Sequence, residues 1–368
     1  MHKKRLERLL TLMEQNHFDV VALNPGNSLK YLTNLNFHLM ERPTVLLINQ
    51  SGKAALVHPA LEKLKAEKSA IPCELFSYLE NPSTWNQAFK DAIQYLEINK
   101  ENIAVEPNRF RFMEFNFLKE NTPLAQIESG AVIFDQLRIV KDCDEIEAMQ
   151  TAALIAEEGL IATLNQFKPG VSEKELAAEL IIQLIRAGSE GEMPFEPIVA
   201  SGPNSANPHA TPGERKVEPG DILLFDWGAA FGGYVSDITR CFSISYIAPP
   251  FEKISQVVMS ANRIGRETGQ PGIKAGDIDW LTRAEINKAG YGDFFTHRTG
   301  HGLGMEAHEG PYIFAENKLI LSKGMVYTIE PGIYLPGKGG IRIEDDVVVT
   351  GSGSMSLTKM ARELKVLD

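Results

Sequence analysis

Residues 222–240 read Ile222-Leu223-Leu224-Phe225-Asp226-Trp227-Gly228-Ala229-Ala230-Phe231-Gly232-Gly233-Tyr234-Val235-Ser236-Asp237-Ile238-Thr239-Arg240. An apolar strand follows the turn Glu218-Pro219-Gly220-Asp221 and ends on a carboxylate. A glycine-containing turn reverses the chain, which returns through a second carboxylate. Hairpin pairing of the two arms brings Asp237 beside Asp226. A buried charge without a partner is costly, and two adjacent carboxylates repel unless they share a proton or a cation. Taken alone, the stretch also fits a pair of solvated turn acids or a salt bridge to Arg240.

Three later segments supply more groups of the same kind. Residues 297–311 carry His297, His301 and His308 in His297-Arg298-Thr299-Gly300-His301-Gly302-Leu303-Gly304-Met305-Glu306-Ala307-His308-Glu309-Gly310-Pro311. Glycines at 300, 302 and 304 argue against a helix, so the four-residue histidine spacing is not a zinc-binding helix. The glycines predict a backbone that passes close to something while presenting an imidazole. His297 reads equally well as a structural histidine. An apolar run over Met325–Ile329 ends on Glu330, and a strand over Ile341–Thr350 puts Glu344 on the same side as Arg342 by the two-residue strand period. Two Asp, two Glu and one His would gather roughly four negative charges, which two divalent cations neutralise. Oxygen-rich donors with one imidazole and no thiolate suit Mn²⁺ first, with Co²⁺, Fe²⁺ and Zn²⁺ as alternatives. Ca²⁺ fits less well, given the imidazole and the lack of an EF-hand loop. A two-metal centre of this kind performs hydrolysis.

The rest of the chain sets the frame. Its 368 residues suggest about two domains. With 43% hydrophobic and 23% charged residues it reads as globular rather than disordered. No apolar run approaches the roughly 20 residues of a membrane span. Lys+Arg 37 against Asp+Glu 48 gives a net charge of −11, which argues against a nucleic-acid partner. Cys73, Cys143 and Cys241 are too few and too scattered for a disulfide framework, and Glu7, Arg8 and Glu14 interrupt any secretory signal. Both observations predict a cytoplasmic protein.

Short apolar runs at 19–23, 44–49, 54–57, 103–106 and 125–128 predict strands. Helical patterns at 61–69, 85–96 and 110–120 lie between them. This alternation predicts an α/β domain over residues 1–135. Residues 136–140 then connect to a second domain over 136–368. There, a long helix at about 145–167 stops before Lys168-Pro169-Gly170, and another opens with a Ser172/Glu175 capping box. Strands at 198–201, 222–227 and 234–244, helices at 252–268 and 275–289, and strands at 325–330 and 341–350 complete an α+β domain with an antiparallel sheet.

Asp226, Asp237, His301, Glu330 and Glu344, each in its local motif and in this order, resemble the five metal ligands of the pita-bread metallopeptidases. That group includes methionine aminopeptidase, aminopeptidase P and prolidase, with creatinase as a metal-free relative. The segment Gly202–His209 and the run His308-Glu309-Gly310-Pro311 resemble the family's two accessory histidine motifs. Tyr31-Leu32-Thr33-Asn34 and Glu41-Arg42-Pro43 resemble the N-terminal, creatinase-type domain, which methionine aminopeptidases usually lack.

The resemblance implies a pita-bread catalytic domain behind a smaller creatinase-like domain, two divalent metal ions and a homodimer. It is closest to bacterial and archaeal Xaa-Pro dipeptidases, and implies cleavage of a small peptide by a hydroxide bound to both metals. Asp237 and Glu344 would bridge the metals, and Asp226, His301 and Glu330 would complete their shells. Glu330 would also take the water's proton. His308 would stabilise the oxyanion, and His209 would hold substrate or protonate the leaving nitrogen. Arg342 would pair with the substrate carboxylate or anchor Glu344. Aminopeptidase P, a same-fold hydrolase or lyase of a non-peptide substrate, and a non-catalytic binding protein are the alternatives.

Overall fold

The computed structural model describes residues 1–168 and 170–368, so Pro169 of the expected helix stop lies outside the described residues. The chain divides into two units, Met1–Arg138 and Ile139–Asp368.

The first unit is built on a six-stranded mixed sheet. In spatial order the strands are Glu74–Tyr78, Ala54–Pro59, Val45–Asn49, Val20–Leu23, Asn102–Val105 and Gln126–Ser129. The central strands are buried along almost their whole length, which explains why their sequences are largely apolar rather than alternating. Helix Trp85–Tyr95 buries Trp85, Ala88, Phe89, Ala92 and Ile93, the spacing of one helical face. Sequence patterning does not reveal edge strand Glu74–Tyr78, because only Tyr78 of it is fully buried. The helix Ala131–Arg138 takes in the first half of the stretch expected to be a connection.

In the second unit, helices Cys143–Leu164 and Glu173–Ala187 each begin with a complete capping box, Asp142/Glu145 and Ser172/Glu175. They cover one face of a four-stranded sheet ordered Ile198–Ser201, Ile222–Trp227, Ile238–Ile244 and Lys365–Leu367. Leu223, Phe225, Trp227, Ile238 and Phe242 point into that core. Ile222, Leu224 and Cys241 point the other way, against helix Phe251–Thr268 and the hairpin Gly332–Leu335/Gly339–Arg342. A five-stranded antiparallel sheet follows, ordered Glu309–Ile313, Gly300–Gly302, Val326–Ile329, Asp345–Val349 and Ser354–Ser356, packed on helix Ala275–Lys288.

Two predicted strands are broken. Tyr234–Val235 is separate from Ile238–Ile244, and Gly339–Arg342 is separate from Asp345–Val349. The pieces belong to different sheets, so the chain crosses from one sheet to another at Ser236-Asp237 and at Ile343-Glu344. It crosses again between Ile329 and Gly332. Asp237, Glu330 and Glu344 all sit at these crossings. Although the strand is broken between them, Arg342 and Glu344 still line one cavity while Ile341 and Ile343 enter the core on the other side, as the two-residue period suggested.

The glycine-rich segment also finds its explanation here. A Cβ on Gly300 would collide with the Thr328 carbonyl, and one on Gly302 with the Gly310 carbonyl. Both obstacles are backbone of the flanking strands and cannot rotate away. Gly300→Ala and Gly302→Ala should each destabilise the protein by about 2 kcal/mol or more, the upper range for overpacking. Urea unfolding checks this, and an unchanged midpoint would contradict the strand packing.

Candidate metal centre

Strand parity places the first donors. Asp226 continues the Ile222/Leu224 face, and Asp237 and Thr239 continue the Cys241 face of the paired strand. These side chains therefore emerge away from the first helix pair. In the register, Asp226 lies opposite Thr239, and Thr239 bridges to Glu344 in the next segment. The sheet crossings supply Glu330 and Glu344, and the short strand Gly300–Gly302 supplies His301.

The result is one cavity of about 660 Å³ lined by Asp226, Asp237, His301, Glu330 and Glu344 together with His209, His308 and Arg342. Every site residue expected from the sequence therefore faces the same space. Asp237, His301 and Glu344 each offer a donor atom within 4.8 Å of the others. His301 Nε2 lies 3.4 Å from a Glu330 oxygen and 3.7 Å from an Asp237 oxygen. The His301 Nδ1–H donates to the Gly302 carbonyl at 3.2 Å, which leaves the Nε2 lone pair facing the carboxylates.

Two carboxylate oxygens here lack a hydrogen-bond partner among the described residues. Asp226 Oδ1 and Asp237 Oδ1 are buried without any hydrogen bond. Burial, followed by Glu344 and Asp226, pushes the Asp237 carboxyl up. Burial, followed by Glu330 and Asp226, does the same to Glu344. Burial pushes Glu330 up to about 7, with Asp226 adding to the rise and Arg342 opposing it. Burial and the neighbouring His308 hold the His301 imidazole down, in its neutral, donor-competent form. Oxygen donors whose carboxyls are held high by burial and by one another, with a neutral imidazole among them, are the requirements of a divalent-cation site. The residues present fit that group.

The frame around the donors was mostly not legible in the sequence. Thr239 Oγ1 donates to Glu344 at 2.6 Å, and Arg342 Nε donates to Thr239 Oγ1 at 3.0 Å. Arg342 Nη2 donates to Asp226 at 2.5 Å, and Nη1 to the Tyr334 hydroxyl at 2.9 Å. Of the two roles expected for Arg342, these contacts support the anchor. His297 lines the cavity, but Tyr334 and the Arg298 carbonyl occupy its two ring nitrogens, each at 2.8 Å. Tyr234 packs away from the site, donating to Glu145 at 2.8 Å. Arg298, not singled out from the sequence, also lines the cavity, its guanidinium over the Tyr312 ring at 4.6 Å. Its position directly after His297 was the only available signal.

The raised carboxyls have a measurable consequence for the metal-free protein. A carboxyl raised in the folded state binds protons more tightly there than in the unfolded chain. Stability is then highest below the unfolded value and falls as pH rises through the folded one. For Glu330 that window runs from its ordinary 4.5 to about 7. Metal-free protein should therefore melt at a lower temperature at pH 8 than at pH 5.5, and a divalent cation should restore the loss. By the same argument, Asp237→Asn should raise the melting temperature of the metal-free protein at pH 8 and abolish its increase on adding Mn²⁺. Calorimetry reads both, and an unaltered Mn²⁺ response in Asp237→Asn would remove Asp237 from the centre.

Known proteins resemble this chain over both of its units. Residues 147–351 match metallopeptidase family M24, and residues 5–140 match the creatinase/prolidase N-terminal domain. An Xaa-Pro dipeptidase of Pyrococcus furiosus is 33% identical over 98% of this chain and 99% of its own. The crystal structure of a prolidase from Thermococcus sibiricus superposes with a TM-score of 0.93 at 34% identity, covering 100% of this chain and 99% of that one. An X-Pro aminopeptidase from Thermotoga maritima superposes at 0.85 with 31% identity over 98% and 99%. With its full complement of candidate donors gathered on a two-domain pita-bread scaffold, this chain belongs to the divalent-metal-dependent metallopeptidases of family M24.

Proposed function

We propose that the protein is an Xaa-Pro dipeptidase that works with two divalent cations, Mn²⁺ first among them. Asp226, Asp237, His301, Glu330 and Glu344 would hold the cations, with Asp237 and Glu344 between them. The observation that carries this reading is the convergence of these donors on one cavity that also presents His209 and His308. The full-length likeness to Xaa-Pro dipeptidases supports the substrate class. When bound, the cations would polarise the scissile carbonyl and acidify a water.

The remaining steps fall to the chain's own residues. Glu330, 3.4 Å from His301, would accept the water's proton. The His308 ring meets His301 edge-on, centroids 4.0 Å apart, and burial keeps its imidazole in the neutral form that has one N–H to give. That N–H would stabilise the oxygen on which negative charge develops. His209 lies on the cavity wall in an exposed position, suited to deliver a proton to the departing proline nitrogen. The proline nitrogen, like any amide nitrogen, must gain a proton to depart as an amine.

Arg342 is occupied with Asp226, Thr239 and Tyr334, which makes it a positioning residue. We assign the pairing with a proline carboxylate to Arg298 instead, a cavity cation that has no carboxylate partner among the described residues. Glu173 serves the same machinery at a distance. It is fully buried, accepts the Ser201 N–H at 2.7 Å and the Gly213 N–H at 3.2 Å, and so ties down both ends of the loop that carries His209. Location in a reducing cytoplasm and a homodimeric state complete the proposal. Among the described residues, no helix is long and apolar enough to cross a membrane.

His308→Ala should retain metal and lose about 10²–10³ in kcat, the effect of removing one oxyanion donor. Loss of metal in that variant would make His308 a ligand instead. Rates on Ala-Pro, Ala-Ala and Ala-Pro-Ala test the substrate class under identical Mn²⁺. We expect Ala-Pro to be cleaved fastest, and Arg298→Ala to raise KM for Ala-Pro while leaving metal content intact. Equal rates on Ala-Pro and Ala-Ala end the proline-specific reading, and preference for Ala-Pro-Ala moves it to an aminopeptidase.

A further inference from the structure

Behind the metal centre lies a second cleft, of about 550 Å³, between helix Phe251–Thr268 and residues 359–363. Its walls carry Arg263, Arg266, Lys359 and Arg362, on a chain whose net charge is −11. The fully buried Asp345 accepts hydrogen bonds from Arg240 at 2.8 Å and from Arg362 at 2.8 and 2.9 Å, with Arg266 at 3.5 Å. Three guanidiniums thus share one carboxylate. Among the described residues, the ion-pair partner of Arg263 is Glu267, at 3.5 Å and solvent-exposed, which contributes little. The exposed Lys359 ammonium has no carboxylate partner among the described residues. Glu363 is the cleft's single acidic wall residue. Burial lowers the pKa of Arg266, with Asp345 and Glu267 opposing the fall and Arg362 and Arg240 adding to it.

The cleft is wired to the strand ends that carry two of the candidate metal donors. Arg266 Nε donates to Asn262 Oδ1 at 2.7 Å. The Asn262 amide in turn donates to the carbonyls of Ile329 at 3.0 Å and Ile343 at 3.2 Å, the residues immediately before Glu330 and Glu344. Arg240 Nη1 donates to the Glu344 carbonyl itself at 2.6 Å. A ligand that holds Arg266 and Arg362 in place therefore braces both crossings from behind. Its negative charge also favours a cation in front.

We propose that this cleft binds a tetrahedral oxyanion, either free phosphate or the phosphate group of a small ester, and that its occupancy and metal loading strengthen each other. Binding does not depend on the dipeptidase reading; the linkage rests on the metal centre. Titration of the metal-free protein with inorganic phosphate and with glycerol 2-phosphate, at constant ionic strength, should give saturable one-site isotherms. The tighter of the two tells the free ion from the ester. Arg263→Ala/Lys359→Ala should weaken binding at least about tenfold, whereas Lys318→Ala/Lys323→Ala, which removes the same charge elsewhere, should not. Absence of saturation, retained affinity in the first variant or equal weakening in both overturns the site. Sulfate, used as a probe that spares the metal, should bind at least about fivefold more tightly to Mn²⁺-loaded than to metal-free protein, with the reciprocal gain in Mn²⁺ affinity. Equal sulfate affinity in the two forms overturns the linkage. A protein that takes up no Mn²⁺ overturns the metal centre and the linkage with it, while the phosphate isotherms still decide the cleft.

Discussion

Mutual repulsion of buried carboxylates is the constraint on which the catalytic unit depends. Asp226, Asp237, Glu330 and Glu344 share one cavity, where the lower dielectric strengthens their repulsion over its value in water. The donors cannot move apart, because each is fixed by backbone that serves another purpose. Asp226 ends a strand of the four-stranded sheet, and Asp237, Glu330 and Glu344 stand where the chain leaves one sheet for another. The fold holds these carboxyls together, and a shared proton or a bound cation relieves the repulsion.

The surrounding polar frame is arranged to allow that. Among the described residues, Arg342 is the guanidinium inside the cavity that contacts a candidate ligand directly, and it leaves the second oxygen of Asp226 without a partner. Asp346, one step past Asp345, accepts the Asp237 N–H at 3.1 Å and so fixes the backbone at the first crossing. Asn262 and Arg240 do the same for the other two crossings through carbonyl groups rather than through the carboxylates themselves. Orientation is thus supplied by hydrogen bonds to the backbone, and the donor oxygens stay available.

The glycine-rich stretch solves a related problem of space. His301 reaches the cavity from a strand squeezed between Glu309–Ile313 and Val326–Ile329. Gly300 and Gly302 on either side of it admit the two neighbouring backbones. The imidazole is presented because its flanking positions are bare.

The sequence alone determined the two-part organisation, the long helices with the Ser172/Glu175 capping box and the identity of the residues that converge. These are local properties: a buried strand shows as an apolar run, and an acid at the end of such a run stands out against it. The same locality explains what was hidden. The strands expected over 234–244 and 341–350 are each broken where the chain changes sheet, and no sequence period marks a change of partner. Edge strand Glu74–Tyr78 lacked the apolar pattern because much of it faces water. The roles of Thr239, Asn262, Arg240 and Glu173 depend on partners that lie many residues away, from 28 for Glu173 and Ser201 to 105 for Thr239 and Glu344. Which charges repel, which are held and which remain free for a ligand is settled only when distant segments meet, since burial and hydrogen-bond geometry are properties of the packed structure and not of the chain.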